Sequence, residues 1–281
     1  MFWSLAVILL PLICAAAAAR IDKRRTESLL AISAAALTFL GSAVNMVSVR
    51  GGAVYTWGIG TQGVLGSLLR LDSLSGLFSL FCSFVWLAAG IYMHAYMRHE
   101  DHIASFYKYY LLTLGATQGI FLAGNFIVLL VFFEIMSVTS GAWVTFHHDQ
   151  EAERAGSMYH HLSLAAGVLM GLAVILLFLS GVQPVVGSPA VNPSHPTLFI
   201  WATLFLLAAF GTKAGMFPLH IWLPKAHPVA PTPASALLSG ILIKTGAYGL
   251  IRTGQLVNWG RTDLVPWAGT LLVVVGSITM L

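Results

Sequence analysis

Nine mostly apolar stretches follow one another along this chain, near residues 2–19, 27–49, 73–97, 107–123, 124–146, 160–181, 197–226, 233–252 and 265–281. A helix needs about 20 such residues to cross a bilayer. Hydrophobic residues make up 58% of the sequence and charged ones 9%, against about 25% charged in soluble domains. These runs are therefore not the core of a water-soluble fold. The pattern predicts an all-α integral membrane protein of about nine transmembrane helices, the seventh discontinuous at Gly215 and Pro218. Only a short break at Gly124–Asn125 divides the fourth span from the fifth.

The opening run, MFWSLAVILLPLICAAAAAR, ends in small residues as a signal peptide does, yet its basic cluster (Arg20, Lys23, Arg24, Arg25) follows the apolar stretch. That order predicts an uncleaved first helix with its N-terminus outside. Alternating sides from there places Arg20, Lys23, Arg24, Arg25, Arg98, Lys108, Arg154 and Lys225 inside, and Arg50, Arg70, Arg252 and Arg261 outside. The inner excess obeys the positive-inside rule and predicts a multi-pass protein of the cell inner (cytoplasmic) membrane. The net charge of +4 is spread over loops beside spans, which argues against a nucleic-acid partner and for membrane lipid.

Three charges sit where a bilayer disfavours them. Glu134 is the one acid inside any predicted span; the other nine lie in loops or at helix ends. A charge at mid-bilayer costs about 3 kcal/mol or more, and such groups face an internal path with a partner. Lys213 comes just before Gly215 and Pro218. Proline removes a backbone donor and frees carbonyls, which is tolerated at membrane depth only against protein or water. A lysine at a broken helix has the character of a midplane ion site. Lys244 lies at the middle of 233–252, too deep for easy snorkelling, with Ser239 and Thr245 as polar neighbours. The expectation is a proton-transfer row of Glu134, Lys213 and Lys244. The plainer alternative is a static Glu134–Lys213 ion pair, disfavoured because buried pairs stabilise poorly compared with apolar packing.

His220 and His227 follow the break and have two readings, a proton relay toward the cytoplasm or hydrogen-bonded closure of the loop. His94, His99, His102, His147, His148, His160 and His161 gather at inner helix ends with irregular spacing and no cysteine. They read as interface histidines, and no metal site is predicted. Cys14 and Cys82 fall within apolar helices, so neither a disulfide framework nor an iron–sulfur site is expected in this chain. The run Gly58-Ile59-Gly60-Thr61-Gln62-Gly63 matches GxGxxG, but that fingerprint needs a strand and a helix of a soluble βαβ unit. A hairpin or turn between spans is the expectation, with no cofactor bound.

The runs Gly211-Thr212-Lys213-Ala214-Gly215, Phe217-Pro218-Leu219-His220-Ile221-Trp222-Leu223-Pro224, Ala226-His227 and Ala230-Pro231-Thr232-Pro233-Ala234-Ser235-Ala236-Leu237-Leu238 resemble the antiporter-like subunit family. That family comprises the large proton-pumping subunits of respiratory complex I, Mrp-type cation/proton antiporter subunits and the membrane subunits of group-four [NiFe] hydrogenases. Phe133-Glu134-Ile135-Met136-Ser137 resembles its glutamate helix and Asp72-Ser73-Leu74-Ser75 its third-helix entry. The wording around Ala226-His227-Pro228 and Leu237–Thr245 is closest to the hydrogenase and formate hydrogenlyase branch. The resemblance implies that Glu134 pairs with Lys213 and that Lys244 continues the path. It also implies a fold of about fourteen helices with two inverted five-helix repeats, of which this sequence carries the first. The division expected is 1–106 for three leading helices, 107–252 for the first repeat (helices four to eight) and 253–281 for the start of helix nine. A second polypeptide supplying the other repeat, and other membrane subunits of a complex I-like or hydrogenase assembly, are the implied partners. Iron–sulfur clusters, and nickel–iron in the hydrogenase branch, would sit on those partners.

Three functions compete at this point: a proton-translocating or sodium/proton-exchanging subunit of a redox complex, an Mrp-type antiporter subunit without redox partners, and a non-conducting structural piece. A stand-alone solute carrier has little support, because no distinctive binding group lies beyond the charge row.

Overall fold

The computed structural model describes every residue except 1, 22–23, 61–62, 98–102, 191–192, 259–266 and 281, with backbone alone at Arg24, Gly63 and 103–105. Helices α1 (Phe2–Ala18) and α2 (Arg24–Ser48) lead into a hairpin, in which β1 (Tyr55–Trp57) pairs antiparallel with β2 (Leu69–Leu71) across the single turn α3 (Gly63–Gly66). Then come α4 (Ser73–Tyr96), α5 (Ile103–Leu122), α6 (Phe126–Val144), α7 (Gln150–Leu179) and α8 (Pro196–Ala214). A 3₁₀ turn at Leu219–Trp222 and a short α9 (Leu223–Val229) follow. Next are α10 (Thr232–Leu237), a π turn (Leu238–Leu242), α11 (Ile243–Val257) and α12 (Trp267–Met280).

Among the described residues six helical segments are long and apolar enough to cross a membrane, and α1 and α12 are shorter apolar helices. The GxGxxG run lies in the hairpin connection, the expected kind of structure, although Thr61 and Gln62 are outside the described residues. The short break between α5 and α6 is a formed cap. Asn125 Oδ1 accepts the Val128 amide at 2.8 Å, while its Nδ2 donates to the carbonyls of Val64 and Ser67 at 2.9 and 2.8 Å. One side chain thus starts a helix and pins it to the hairpin.

Two expected boundaries are wrong. Helix α7 begins at Gln150, well before residue 160, because Asp149 accepts the Ala152 amide at 2.7 Å and Glu151 and Glu153 occupy the first turn. A capped, acid-led start suits the positive end of the helix dipole, and an apolar-window rule does not register it. Helix α11 runs on to Val257, so Arg252, the last residue of the expected span, lies inside it. Of the other basic residues used for orientation, Lys23, Arg98 and Arg261 are outside the described residues.

Helices α1, α2, α4 and α5 pack on one another; α5 also packs on α6, α6 on α7, α7 on α8, and α8 on α11. The core between them is aromatic, including Trp86, Trp143, Tyr110, Phe106, Phe133 and Phe210. Two of its polar tips bond each other's helices: Trp86 Nε1 donates to the Tyr110 carbonyl at 3.2 Å and Tyr110 OH donates to the Trp86 carbonyl at 2.5 Å. Buried Ser79 donates to Gln118 Oε1 at 2.6 Å. Such interhelical bonds remove polar groups that lipid cannot solvate, while Ile13, Leu40, Phe84, Val138 and Ile175 face outward.

Candidate functional site

Helix α8 ends one residue after Lys213. Gly215 adopts φ +71°, its amide bonds the Thr212 carbonyl at 3.2 Å, and the Met216 amide reaches the Gly211 carbonyl at 2.9 Å. This is the Schellman closure, which needs a left-handed residue and favours glycine. The chain then folds back so that Trp222 Nε1 donates to the Thr212 carbonyl at 2.9 Å. The break therefore brings an indole onto the last turn of the helix, beside the lysine. Its Nζ lies 5.9, 4.5 and 5.6 Å from the ring centres of Trp222, Tyr159 and Phe133.

Lys213 is 2% exposed. Its Nζ donates to Tyr159 OH at 2.7 Å, Ser137 Oγ at 3.2 Å and Ser163 Oγ at 3.4 Å. An ammonium has three hydrogens, and three hydroxyls meet them. Tyr159 OH lies 2.6 Å from Ser140 Oγ, which donates to the Met136 carbonyl at 2.6 Å. With that outlet for its own proton, Tyr159 is free to accept from the lysine. The sequence resemblance implied a Glu134–Lys213 pair. Among the described residues the ion pairs within 4.0 Å are Arg70–Asp72 and Arg252–Asp72, so Lys213 is held by hydroxyls in place of the carboxylate.

Glu134 lies nearby on the same seam. Together with Ser137, Val138, His160, His161, Ser163 and Leu164 it lines a cavity of about 250 Å³ between α6 and α7. Ser137 and Ser163 thus belong both to the lysine cage and to the wall of the glutamate's cavity. Glu134 Oε1 is buried without a hydrogen-bond partner, and a β-carbon at Gly167 would overlap it. Gly167→Ala is therefore expected to displace the carboxylate and slow ion translocation by up to about 100-fold, the cost of misplacing a reacting group by an ångström. Flux measured in vesicles at matched protein content checks it.

The other expected site residues are placed differently. Lys244, expected in the interior, is exposed on the wall of the chain, where Nζ donates to the Ser239 carbonyl at 2.7 Å. That carbonyl belongs to the π turn, which breaks the regular bonding pattern and offers the ammonium an acceptor. His227 Nδ1 lies 2.6 Å from Ser235 Oγ, which ties α9 to α10. The His220 ring lies against Phe217 at 5.7 Å. Neither imidazole bonds Lys213. Of the seven histidines read as interface groups, His160 and His161 line the Glu134 cavity, His94 Nδ1 meets Ser28 Oγ at 2.5 Å, and His99 and His102 lie outside the described residues. Sequence reading missed Tyr159, Ser137, Ser163 and His160. The available signal was spacing: Glu134-x₂-Ser137-x₂-Ser140-Gly141 on one helix faces His160-x₂-Ser163-x₃-Gly167 on the next.

A second charged cluster joins the starts and ends of other helices. Arg252, fully buried inside α11, donates to both Asp72 oxygens at 2.8 and 2.7 Å and to Gln255 Oε1 at 2.7 Å. Arg70 Nε adds 2.9 Å to Asp72 Oδ2. Asp72 also caps α4 through the Ser75 amide at 2.9 Å, and the Ser75 hydroxyl accepts the Asp72 amide at 2.8 Å. Burial raises the pKa of the carboxyl, but the Arg252 guanidinium, the Ser75 amide and Arg70 outweigh it and hold the group well below the usual carboxylate range.

A bundle of lipid-facing helices, a lysine buried at a helix break and a half-buried glutamate on the neighbouring seam define an antiporter-like membrane subunit. Comparison with known proteins agrees. Residues 123–281 match the family described as NADH:quinone oxidoreductase/Mrp antiporter, TM, and the chain belongs to that family. It is 33% identical over 217 residues to hydrogenase-4 component B of Escherichia coli (strain K12), covering 76% of this chain and 32% of that protein. It is 32% identical over 222 residues to the putative antiporter subunit mnhA2 of Staphylococcus aureus (strain MRSA252), covering 76% and 28%. The fold superposes with a TM-score of 0.86, at 20% identity, on a chain of the membrane-bound sulfane sulfur reductase, an archaeal respiratory membrane complex, covering 98% of this chain and 57% of that one. The chain therefore spans about a third of the length of the curated relatives it matches.

Proposed function

We propose that this chain carries the proton-handling half of an ion-translocating membrane subunit, with Lys213 as the switching charge, Glu134 as its exchange partner and Lys244 as the onward group. The observation that carries the reading is the hydroxyl cage. An ammonium is buried without a carboxylate in contact, yet two of its three hydroxyl partners, Ser137 and Ser163, line the cavity that holds Glu134. Moving the side chain or a proton across those hydroxyls alternates between a separated and a paired state. Glu134→Gln keeps the shape and removes the exchangeable charge. Flux in vesicles carrying the assembled complex should then fall about 100-fold, the low end for a proton-transferring group. Flux at the wild-type level would favour the non-conducting structural reading instead.

Lys244 gives that reading a partner. A charge exposed at membrane depth is covered by protein or water, so the face carrying Lys244 fits a second chain that supplies the other repeat and receives the proton. The proposed division keeps 107–252 as the site-bearing repeat, 1–106 as leading helices and 253–281 as the start of the next repeat. Orientation with the N-terminus outside, in the inner membrane, rests on the basic-residue count. Similarity to hydrogenase-4 component B favours a redox-driven assembly whose iron–sulfur and nickel–iron centres lie on other subunits. Similarity to an antiporter subunit favours sodium-for-proton exchange as the second reading. Flux driven by a sodium gradient with no electron donor present separates the two.

A further inference from the structure

The α6–α7 seam carries a titratable group that the lysine–glutamate scheme does not use. His160 stands on the wall of the same cavity as Glu134, Ser137 and Ser163. Its ring is set over Gly141 of α6, where a β-carbon would overlap the imidazole, just as Glu134 of α6 is set over Gly167 of α7. Each helix thus clears a glycine recess for the other's titratable side chain, and the lysine-bonded serines lie between the two recesses. His160 is exposed on the outer wall of the chain, whereas Lys213 is buried behind it. The seam therefore runs from an accessible imidazole, through a cavity whose wall carries serines, a carboxylate and imidazoles beside Val138 and Leu164, to half-buried Glu134 and buried Lys213. The titratable groups facing His160 are Lys213 from α8, Glu134 of α6 across the cavity and His161 on its own helix. His161 is turned aside, its Nδ1 lying 2.7 Å from the Ser157 carbonyl.

We propose that His160 is a proton-exchange residue at the mouth of this cavity, handing protons between bulk water and the Glu134–Lys213 site; this rests on the proton-handling reading above. The step is a proton relay with no change in bonding elsewhere. The imidazolium gives one proton to a cavity water, that water gives one to the Glu134 carboxylate, and the neutral ring regains a proton from water at the mouth. The volume is roomy enough for several waters, and the wall offers them hydroxyl, carboxylate and imidazole partners. Imidazole is the side chain whose ordinary titration falls between about pH 5 and 8, so the relay stamps that range on the flux.

The test uses vesicles containing the assembled complex with wild-type chain, His160→Gln, His147→Gln and Lys213→Ala. His160→Gln should lower flux at least about tenfold, within the range for a proton-transferring side chain, and remove the inflection of flux between about pH 5 and 8. His147→Gln, at an exposed histidine that is not part of the cavity wall, should leave both intact. Wild-type flux and pH profile in His160→Gln, with Lys213→Ala inactive, overturns the role of His160 alone. Wild-type flux in Lys213→Ala overturns the underlying reading. Should His160→Gln fail to assemble, the wild-type complex is carbethoxylated and the modified residue mapped by mass spectrometry. Flux must then be lost with modification of His160 and return with hydroxylamine. Modification of His160 with unchanged flux overturns the proposal.

Discussion

Lys213→Ala is expected to reduce ion translocation by about 100-fold or more while leaving assembly largely intact. The two halves of that result come from the same geometry. The ammonium is the one group that touches Tyr159, Ser137 and Ser163 together, so removing it disconnects the α8 break from the α6–α7 seam. The hydroxyls are not stranded by the loss, because Tyr159 keeps Ser140 and the two serines line the cavity shared with Glu134 and His160. Lys213→Arg is the sharper variant. A guanidinium keeps the charge, but it is a planar fork that does not give up its proton, and the cage is shaped around a compact ammonium among three rings. It should therefore abolish flux nearly as fully as alanine. Retained flux in the arginine variant would show that charge alone, and not proton release, is what Lys213 supplies. The measurement is proton uptake into vesicles, normalised to complex quantified by mass spectrometry.

The helices were legible because lipid demands long apolar runs, and the broken helix was legible because Gly215 and Pro218 announce it. Lys213 and Glu134 could be read for the same reason, as charges standing out against apolar surroundings. What surrounds them could not. A serine or tyrosine inside a membrane helix looks unremarkable when read along one strand of sequence, and Tyr159, Ser137 and Ser163 matter only because two antiparallel helices bring them to one lysine. His160 was hidden by company, as one of seven histidines near helix ends. Lys244 shows what span depth leaves open: which side a residue at that depth faces depends on the helix's rotation, and the π turn at Leu238–Leu242 interrupts the regular spacing there. Arg252 closes the apolar window 233–252 and so reads as an outer helix-end charge; in the fold it is wholly buried, with Asp72 as its partner.

That pair yields the largest stability effect expected in the chain. Asp72→Asn leaves the Arg252 guanidinium buried without its counter-charge, a loss of about 3–5 kcal/mol. Because Asp72 also caps α4, and asparagine caps nearly as well as aspartate, the deficit isolates the charge. Arg70→Ala should cost far less, about 1 kcal/mol or below, since Arg70 is the outer and partly solvated member. Replacing both members with apolar residues, Asp72→Leu with Arg252→Met, should recover most of the loss and retain a deficit of about 1 kcal/mol from the missing cap. Acid gives an independent check. The carboxyl's pKa in the fold is lowered, so its contribution is fully present above the unfolded value of about 3.9 and fades as pH falls through and below that value. Wild type should lose thermal stability below about pH 4, and Asp72→Asn, already lacking that contribution, should show a flatter acid limb. Thermal unfolding of the detergent-purified complex at pH 7 and across the acid range decides it. Equal stability of Asp72→Asn and wild type at pH 7 would show that the bidentate pair holds geometry without holding the fold.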